Sequence, residues 1–528
     1  MKIWKKPFKK KRQNTNNSNN MKVSKSLYEN LKIFKEEYFK DCTDIVYREF
    51  EMGIRGEYKG VIICVDGLTD SKVINEFILN NLMTISRMAE PSPEKVKKSL
   101  DELVMKQNVA ISEMQEVESF DEAVLSILIG ETALILDGYE KIIIYGTKGW
   151  PSRSPAEPET ATVVRGPRDG LVESLRVNTA LIRRRVRDHR LKVKNYQVGH
   201  RSKTSVAMMY MEDLVDKRLL DKVDQRLNEV DYDAILDSGI LEEFIEDDWM
   251  SPFPQIQNTE RPDTAASALY HGRVVLIVDN TPFALILPTT FNSLMQSAED
   301  YYERWDIATA LRLLRYFCAF VSVCGPGLYV AISSYHPRML PTSLALHIAG
   351  NRTQVPFPSV VEALIMEVTI EIIREAGVRL PGAIGSTIGI VGGLVIGQAA
   401  VEAGIVSPFM VIVVAITTIA SFTIPNYNLA ITFRVLRFAF IFSGAFLGLY
   451  GIMLMTLIVL IHLCSLKSFD TPYLSPFMTY LADPSKLRDT IVRLPYVMMH
   501  NRGEDTSKGQ EKRMDDKRAE YIDSKEKE

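Results

Sequence analysis

Three carboxylates, Glu367, Glu371 and Glu375, stand four apart in the largely apolar stretch 359–378, with Arg374 beside them. On a helix that spacing puts all three on one face. An ionised side chain in hydrocarbon is costly and faces a polar cavity or a partner. Such a face could line an aqueous path, within an oligomer. The same stretch could instead lie in the headgroup plane as an amphipathic surface helix. Gln398 and Glu402, one turn apart, are either part of such a path or exposed loop residues. Pro425, Asn426 and Asn428 break the chain between two later apolar stretches. Their amides are suited to cap free helix-end groups.

Other chemistry is missing from the pattern. The seven histidines are dispersed, with neither an HExxH pair nor close i,i+4 spacing. The five cysteines (Cys42, Cys64, Cys318, Cys324, Cys464) include no CxxC pair, so neither a zinc site nor a disulfide framework is expected. No GxSxG and no P-loop occurs. The expectation is a protein with no catalytic residues, no cofactor and no metal, and not an enzyme. A basic run from Arg183 to Arg190 could touch nucleic acid. It lacks the aromatic interleaving of single-strand binders, and a solvated, ion-paired helix end explains it, so no nucleic-acid partner is expected.

The elements that would position these residues change character near Arg315. Up to there the 528-residue chain, of net charge −3, reads as a soluble α/β protein. From Tyr316 to Leu466 apolar runs dominate, and about 20 such residues cross a bilayer. The candidate spans are 313–334, 382–400, 405–424, 429–447 and 449–466, with 359–378 as an ambiguous sixth. Arg304, Arg312, Arg315, Arg434, Arg437 and Lys467 flank them, and the positive-inside rule assigns all of these to the cytoplasm. The first span then ends outside, and the chain returns between Tyr335 and Arg379. Either 359–378 makes that return as a helix, giving six spans, or five spans accompany a re-entrant segment at 336–358. Pro337, Pro341, Pro356 and Pro358 predict irregular backbone there. Gly385, Gly389, Gly393 and Gly397, each four apart, form a face that lets another helix approach closely.

The soluble half reads as a duplication. Gly60–Asp70 and Val206–Asp216 are each an apolar strand, a turn, and Leu and Asp at matching spacing (Leu68 and Asp70; Leu214 and Asp216). Gly53 and Gly199 precede those leucines by the same distance. Each unit continues with a hairpin pattern, 130–145 with Asp137-Gly138 and 272–287 with Asp279-Asn280 as turn residues. A membrane helix at 274–287 is disfavoured by Asp279, Asn280 and Pro282 in a run too short to span. The predicted organisation is a basic disordered tail over 1–29, one α/β lobe over 30–150 and a Pro-rich linker over 151–169. A related lobe over 170–300 and an all-α polytopic membrane domain over 301–467 follow. A membrane-proximal segment over 468–502 and a charged disordered tail over 503–528 complete it. The first residues show no apolar h-region, which predicts no cleaved signal peptide and a soluble region on the cytoplasmic side.

Long passages carry a resemblance. Val164-Arg-Gly-Pro-Arg-Asp-Gly, Ser251-Pro-Phe-Pro-Gln, Thr259-Glu-Arg-Pro-Asp263, Glu299-Asp-Tyr-Tyr-Glu-Arg-Trp305, Val355-Pro-Phe-Pro-Ser-Val-Val-Glu, Arg374-Glu-Ala-Gly-Val-Arg-Leu-Pro381, the stretch 389–408 and Ile424-Pro-Asn-Tyr427 are similar to the A subunits of bacterial spore germinant receptors, the GerA family. The likeness covers most of 40–500 and neither tail. It implies a multi-pass subunit in the spore inner membrane, beside a transporter-like B subunit and a lipoprotein C subunit, that passes nutrient sensing on to germination. It further implies a homo-oligomer in membrane lipid, as a ligand-gated cation channel. An accessory A-like subunit without its own germinant fits the same resemblance. A secondary transporter of a small solute is the rival from another class. It should show inverted repeats with paired broken helices, and the only duplication visible lies in the soluble half.

Overall fold

In the computed structural model of the chain, the described residues are 23–52, 58–79, 114–149, 157–158, 161–379, 397–477 and 489–499. The chain divides into two compact units, residues 1–152 with 183–194, and residues 153–182 with 195–528.

The first unit is built on a five-stranded antiparallel sheet. Its strands are β1 (Ile45–Met52), β2 (Tyr58–Val65), β3 (Met114–Val117), β4 (Thr132–Leu136) and β5 (Ile142–Tyr145), in the order β1-β2-β4-β5-β3. Ile45 pairs with Val65, Ile62 with Leu134, and Ala133 with Ile144. Every residue of β4 and β5 is buried, as expected of central strands covered on both faces. Helix α1 (Phe120–Ile129) ends at Gly130 (φ 98°), where a Cβ would stand 2.9 Å from the Leu68 carbonyl oxygen. Asp70 caps the short helix that starts at Ser71 by accepting from the Lys72 N–H at 2.8 Å. The basic run departs from the solvated reading at its first member. Arg183 is fully buried, with its guanidinium held by the Asp44 carboxylate and donating to the Leu191 carbonyl at 3.3 Å. A planar fork needs acceptors in fixed places, and Asp44 lies 139 residues upstream, beyond any local pattern.

The second sheet repeats that order as β6-β7-β9-β10-β8. Its strands are β6 (Leu191–Val198), β7 (Thr204–Met211), β8 (Gln257–Thr259), β9 (Val274–Val278) and β10 (Ala284–Leu287). Helix α2 (Lys217–Glu229) is capped by Asp216, which accepts from the Arg218 N–H at 3.0 Å. The matched Leu and Asp pairs thus have a physical meaning. The leucine plugs the core beneath the turn and the aspartate starts the helix. Residues 274–287 form the β9–β10 hairpin, turning at Asn280 (φ 68°). Helices α3 (Ser238–Ile245) and α4 (Pro262–Tyr270) complete the layer, over a core that includes Val206, Leu219, Val223, Leu241 and Leu276.

The longer helices that follow among the described residues of this unit are α5 (Trp305–Tyr335), α6 (Thr342–Arg352), α7 (Ser359–Arg379), α8 (Pro408–Ser421) and α9 (Tyr427–Ser465). Two of them, α5 and α9, are long and apolar enough to cross a membrane. The stretch expected to be irregular holds α6, which starts just after Pro341; proline is tolerated at a helix start, where its missing N–H has no partner to lose. The expected span 405–424 contains only the 14-residue α8, about 21 Å at 1.5 Å per residue. Helix α9 breaks at Gly448 (φ 60°, ψ −143°). There the chain doubles back, since a Cβ on Gly451 would collide with the Ser443 carbonyl. A straight helix would hold those residues about 12 Å apart. One leg packs tightly on α5, where a Cβ at Gly444 would stand 2.6 Å from the Gly327 carbonyl oxygen.

The chain after α9 returns to the base of α5. Arg312, fully buried, donates to Asp300 at 3.0 Å and to Asp489 at 2.8 Å. Arg315 grips both oxygens of Asp300 at 2.7 Å. Arg493 donates to the Glu303 carbonyl at 3.3 Å, and its N–H reaches the Thr309 hydroxyl at 3.2 Å.

Candidate functional site

Helix α7 carries a ladder of charge along its buried face. It starts where α5 ends, through a 2.7 Å contact between the Ser334 and Ser359 hydroxyls. A turn further on, Glu362 is fully buried and accepts from the Ser407 N–H at 2.7 Å, at the start of α8. Glu367, 1% exposed, accepts from Arg437 Nη1 of α9 at 2.6 Å. Arg437, 0% exposed, also donates through Nε to the Ser322 carbonyl of α5 at 2.6 Å. Glu371 then bonds Arg374 at 2.9 Å and faces Arg434 at 3.9 Å. Arg374 lies over the Phe422 ring at 5.3 Å, just past the end of α8, and Arg434 over Tyr427 at 5.8 Å. Glu375 pairs with Arg379 at the exposed end of α7.

Taken in order, these contacts run α7 antiparallel to α5 and bring its last turns to the start of α9. Glu367 sits eight residues from one end of α7 and twelve from the other, about 12 and 18 Å of helix. The most deeply placed charge pair is therefore near mid-helix. The opposite face is apolar and open: Val368 is 48% and Ile372 64% exposed. Phe317 of α5, Ile412 and Ile419 of α8, and Phe446 and Ile461 of α9 are also exposed. Charge inside and hydrocarbon outside reverses the arrangement of a water-soluble bundle.

The three carboxylates do not act alike. Glu367 and Glu371 face other helices, whereas Glu375 is at a solvated end. Arg437, assigned from its sequence position to a cytoplasmic flank, is instead the buried partner of Glu367. The positive-inside count scores proximity to a span end, and it is blind to a carboxylate 70 residues upstream. Gln398 and Glu402 bond each other at 2.9 Å on the exposed side of a short helix, Gly397–Glu402. Gly385, Gly389 and Gly393 lie outside the described residues; Gly397 is the described member of that face. Close approach among the described helices comes from Gly325, Gly327, Gly444 and Gly451. Asn426 caps α9, accepting from the Leu429 N–H at 3.0 Å. Pro425 precedes it, and the Asn428 carbonyl accepts from Thr432 at 3.1 Å.

Sequence reasoning missed Glu362, whose signal was the Ser-Val-Val-Glu that opens α7. It also missed His462, whose Nε2 meets the Ser251 hydroxyl at 2.9 Å and whose ring lies against Phe253. Among the described residues no cluster of His, Cys, Asp or Glu has the spacing of a metal site.

Comparison with known proteins gives a consistent set of relatives. Residues 33–505 match the family described as Bacillus/Clostridium GerA spore germination protein. "Spore germination protein KA" of Bacillus subtilis is 41% identical over 92% of this chain and 88% of its own. "Spore germination protein A1" of the same organism is 46% identical over 76% of this chain and 81% of its own. "Uncharacterized membrane protein YfkQ", also of B. subtilis, is 44% identical over 91% of both chains. A crystal structure of the N-terminal domain of the A subunit of the Bacillus megaterium spore germinant receptor GerK3 is 27% identical, covering 51% of this chain and 98% of that one, with a TM-score of 0.39.

Proposed function

The chain belongs to the GerA spore germination protein family, and on that premise we propose that it is the membrane-embedded A-type subunit of a spore germinant receptor, which turns nutrient recognition into cation flow. The single observation that carries the step from receptor to conduction is the buried ladder Glu362, Glu367–Arg437, Glu371–Arg434 on α7. A mid-helix ion pair inside a bundle whose outside is apolar is expensive to keep. It is the sort of group that marks a polar path. In the resting chain the path is shut, because Arg437 occupies the carboxylate that a cation would visit. A receptor signal that moves α9 relative to α7 frees Glu367 and opens the route.

The end-to-end contacts of α7 with α5, α8 and α9 support a six-span reading in which α7 makes the return crossing. The two legs of α9, each about 17 to 21 residues, fit the length of a crossing. Both soluble lobes and the C-terminal segment then share the cytoplasmic side, which in a spore is the core. The partners are a transporter-like B subunit and a lipoprotein C subunit, with further copies of this chain, and the Gly385–Gly397 face is where another helix packs closely.

The test is cation efflux from liposomes holding the full chain, with and without its partner subunits, before and after adding a mixture of amino acids, sugars and nucleosides, comparing wild type with Glu367→Gln and Glu371→Gln. The expected result is a cation leak that either substitution alters. No leak under any combination removes the conduction step, and a leak indifferent to both changes removes these carboxylates from it.

A further inference from the structure

Trp249 and Met250 stand at the apex of the loop after α3, 78% and 75% exposed. Two large apolar side chains side by side in water need an explanation. The loop is built rather than slack. Buried Gln255 brackets Asp248, donating to its carbonyl at 2.6 Å and accepting from its N–H at 3.0 Å. The Met250 N–H in turn reaches the Asp248 carboxylate at 3.1 Å. The next residues fasten the loop to α9. Ser251 meets His462 at 2.9 Å, and Thr432 donates to the Pro252 carbonyl. His462 lies one turn before α9 ends and Thr432 just over a turn after it begins. The reversal at Gly448 brings those two ends together.

Ile431, Val435, Leu460 and Ile461, the neighbours of these anchor points on α9, are exposed. Two residues of chain reach at most about 7 Å. Trp249 therefore lies within a headgroup layer of the apolar surface of α9. We propose that the Trp249–Met250 loop is an interfacial anchor, with both side chains set into the headgroup–acyl boundary of the bilayer around α9. This rests on the membrane-embedded reading above. Indole suits that depth, being apolar in body with one N–H to satisfy. The charges beside it balance, with Asp247 bound to Arg226 and Lys222 and Asp248 turned to the Met250 N–H, so they form no basic patch. The anchor therefore works by apolar insertion and has no need of anionic lipid.

The experiment uses the full-length chain with Trp4→Phe, Trp150→Phe and Trp305→Phe, in phosphatidylcholine vesicles brominated at shallow or deep acyl positions. A second variant adds Trp249→Phe and Ile416→Trp, which places the sole indole at an exposed position of α8. We expect shallow bromines to quench Trp249 more strongly than deep ones, as the interfacial depth of indole requires, unchanged on adding phosphatidylglycerol. Deep bromines should quench the α8 reporter more strongly. An unquenched, water-like Trp249, with the α8 reporter quenched, overturns the anchor and leaves the embedded bundle standing. Two unquenched reporters overturn both. A Trp249 that is shielded only when the other receptor subunits are present assigns the loop to a protein partner and also overturns the anchor.

Discussion

Separating Glu367 from Arg437 should cost far more than separating any other charge pair on α7. Both side chains are essentially unexposed, and the pair closes at 2.6 Å with a second bond from Arg437 to Ser322. Charge centres about 4 Å apart attract by about 4 kcal/mol at an effective dielectric near 20, and by about 1 kcal/mol in water. Removing one partner also strands the other without solvent, so Arg437→Met should destabilise the bundle by about 3–5 kcal/mol. Glu367→Gln should cost somewhat less, since its amide oxygen still accepts from Arg437. The double variant, Glu367→Gln with Arg437→Met, should regain much of the loss, because neither charge is left stranded. The internal control is Glu375→Gln, which removes the exposed i,i+4 pair with Arg379 and should cost at most about 0.5 kcal/mol. The assay is reversible denaturation in mixed micelles, followed by circular dichroism and read as a double-mutant cycle. A coupling energy no larger than that of the Glu375 pair would mean that Glu367 is already solvated in the resting chain. The picture of a path closed by Arg437 would then be wrong.

Two more outcomes follow from local geometry. Gly444→Val forces a side chain against the Gly327 carbonyl, which is backbone and cannot rotate away, so it should cost about 1–3 kcal/mol or more. Gly350→Ala in α6, where a Cβ meets nothing within 4 Å, should instead be neutral or stabilising by about 0.5–1 kcal/mol; equal losses for the two in the same denaturation assay would contradict the packing described. In α3, burial with help from Glu246, Asp237 and Glu243 pushes the Glu242 carboxyl up to about 8. A carboxyl raised in the folded state contributes stability that is complete below its unfolded value near 4.3 and is lost as pH rises through the folded one. The melting temperature should therefore fall between about pH 5 and pH 8, and Glu242→Gln should flatten that fall; an unchanged slope would refute the assignment to this residue.

How far the residues announced this structure depends on the range of the interaction. The hairpins were legible because Asp137-Gly138 and Asp279-Asn280 are turn chemistry in themselves. The repeated Leu and Asp were legible because a cap acts over three residues. Helix α7 was legible as a helix with charge on one face. Its buried partners were not, because Arg437 sits in another helix and resembles any arginine near a span end. Arg183 hid in the same way, inside a basic run whose other basic members are exposed or half-buried. Helix α6 was obscured by flanking prolines that bound it and do not interrupt it. The break at Gly448 showed only as a join between two predicted spans, since a glycine among other membrane glycines does not declare its φ.

The return of the chain to the foot of α5 gives the helical part a mechanical character. With Asp489 and Arg493 bolted to Arg312, Glu303 and Thr309, the polypeptide from α5 to residue 493 is a hoop and not a string. In a string, a twist applied at one end can be shed at the other. In a hoop, torque on the last leg of α9 is delivered to the base of α5, and the bundle either holds its shape or changes it as a whole.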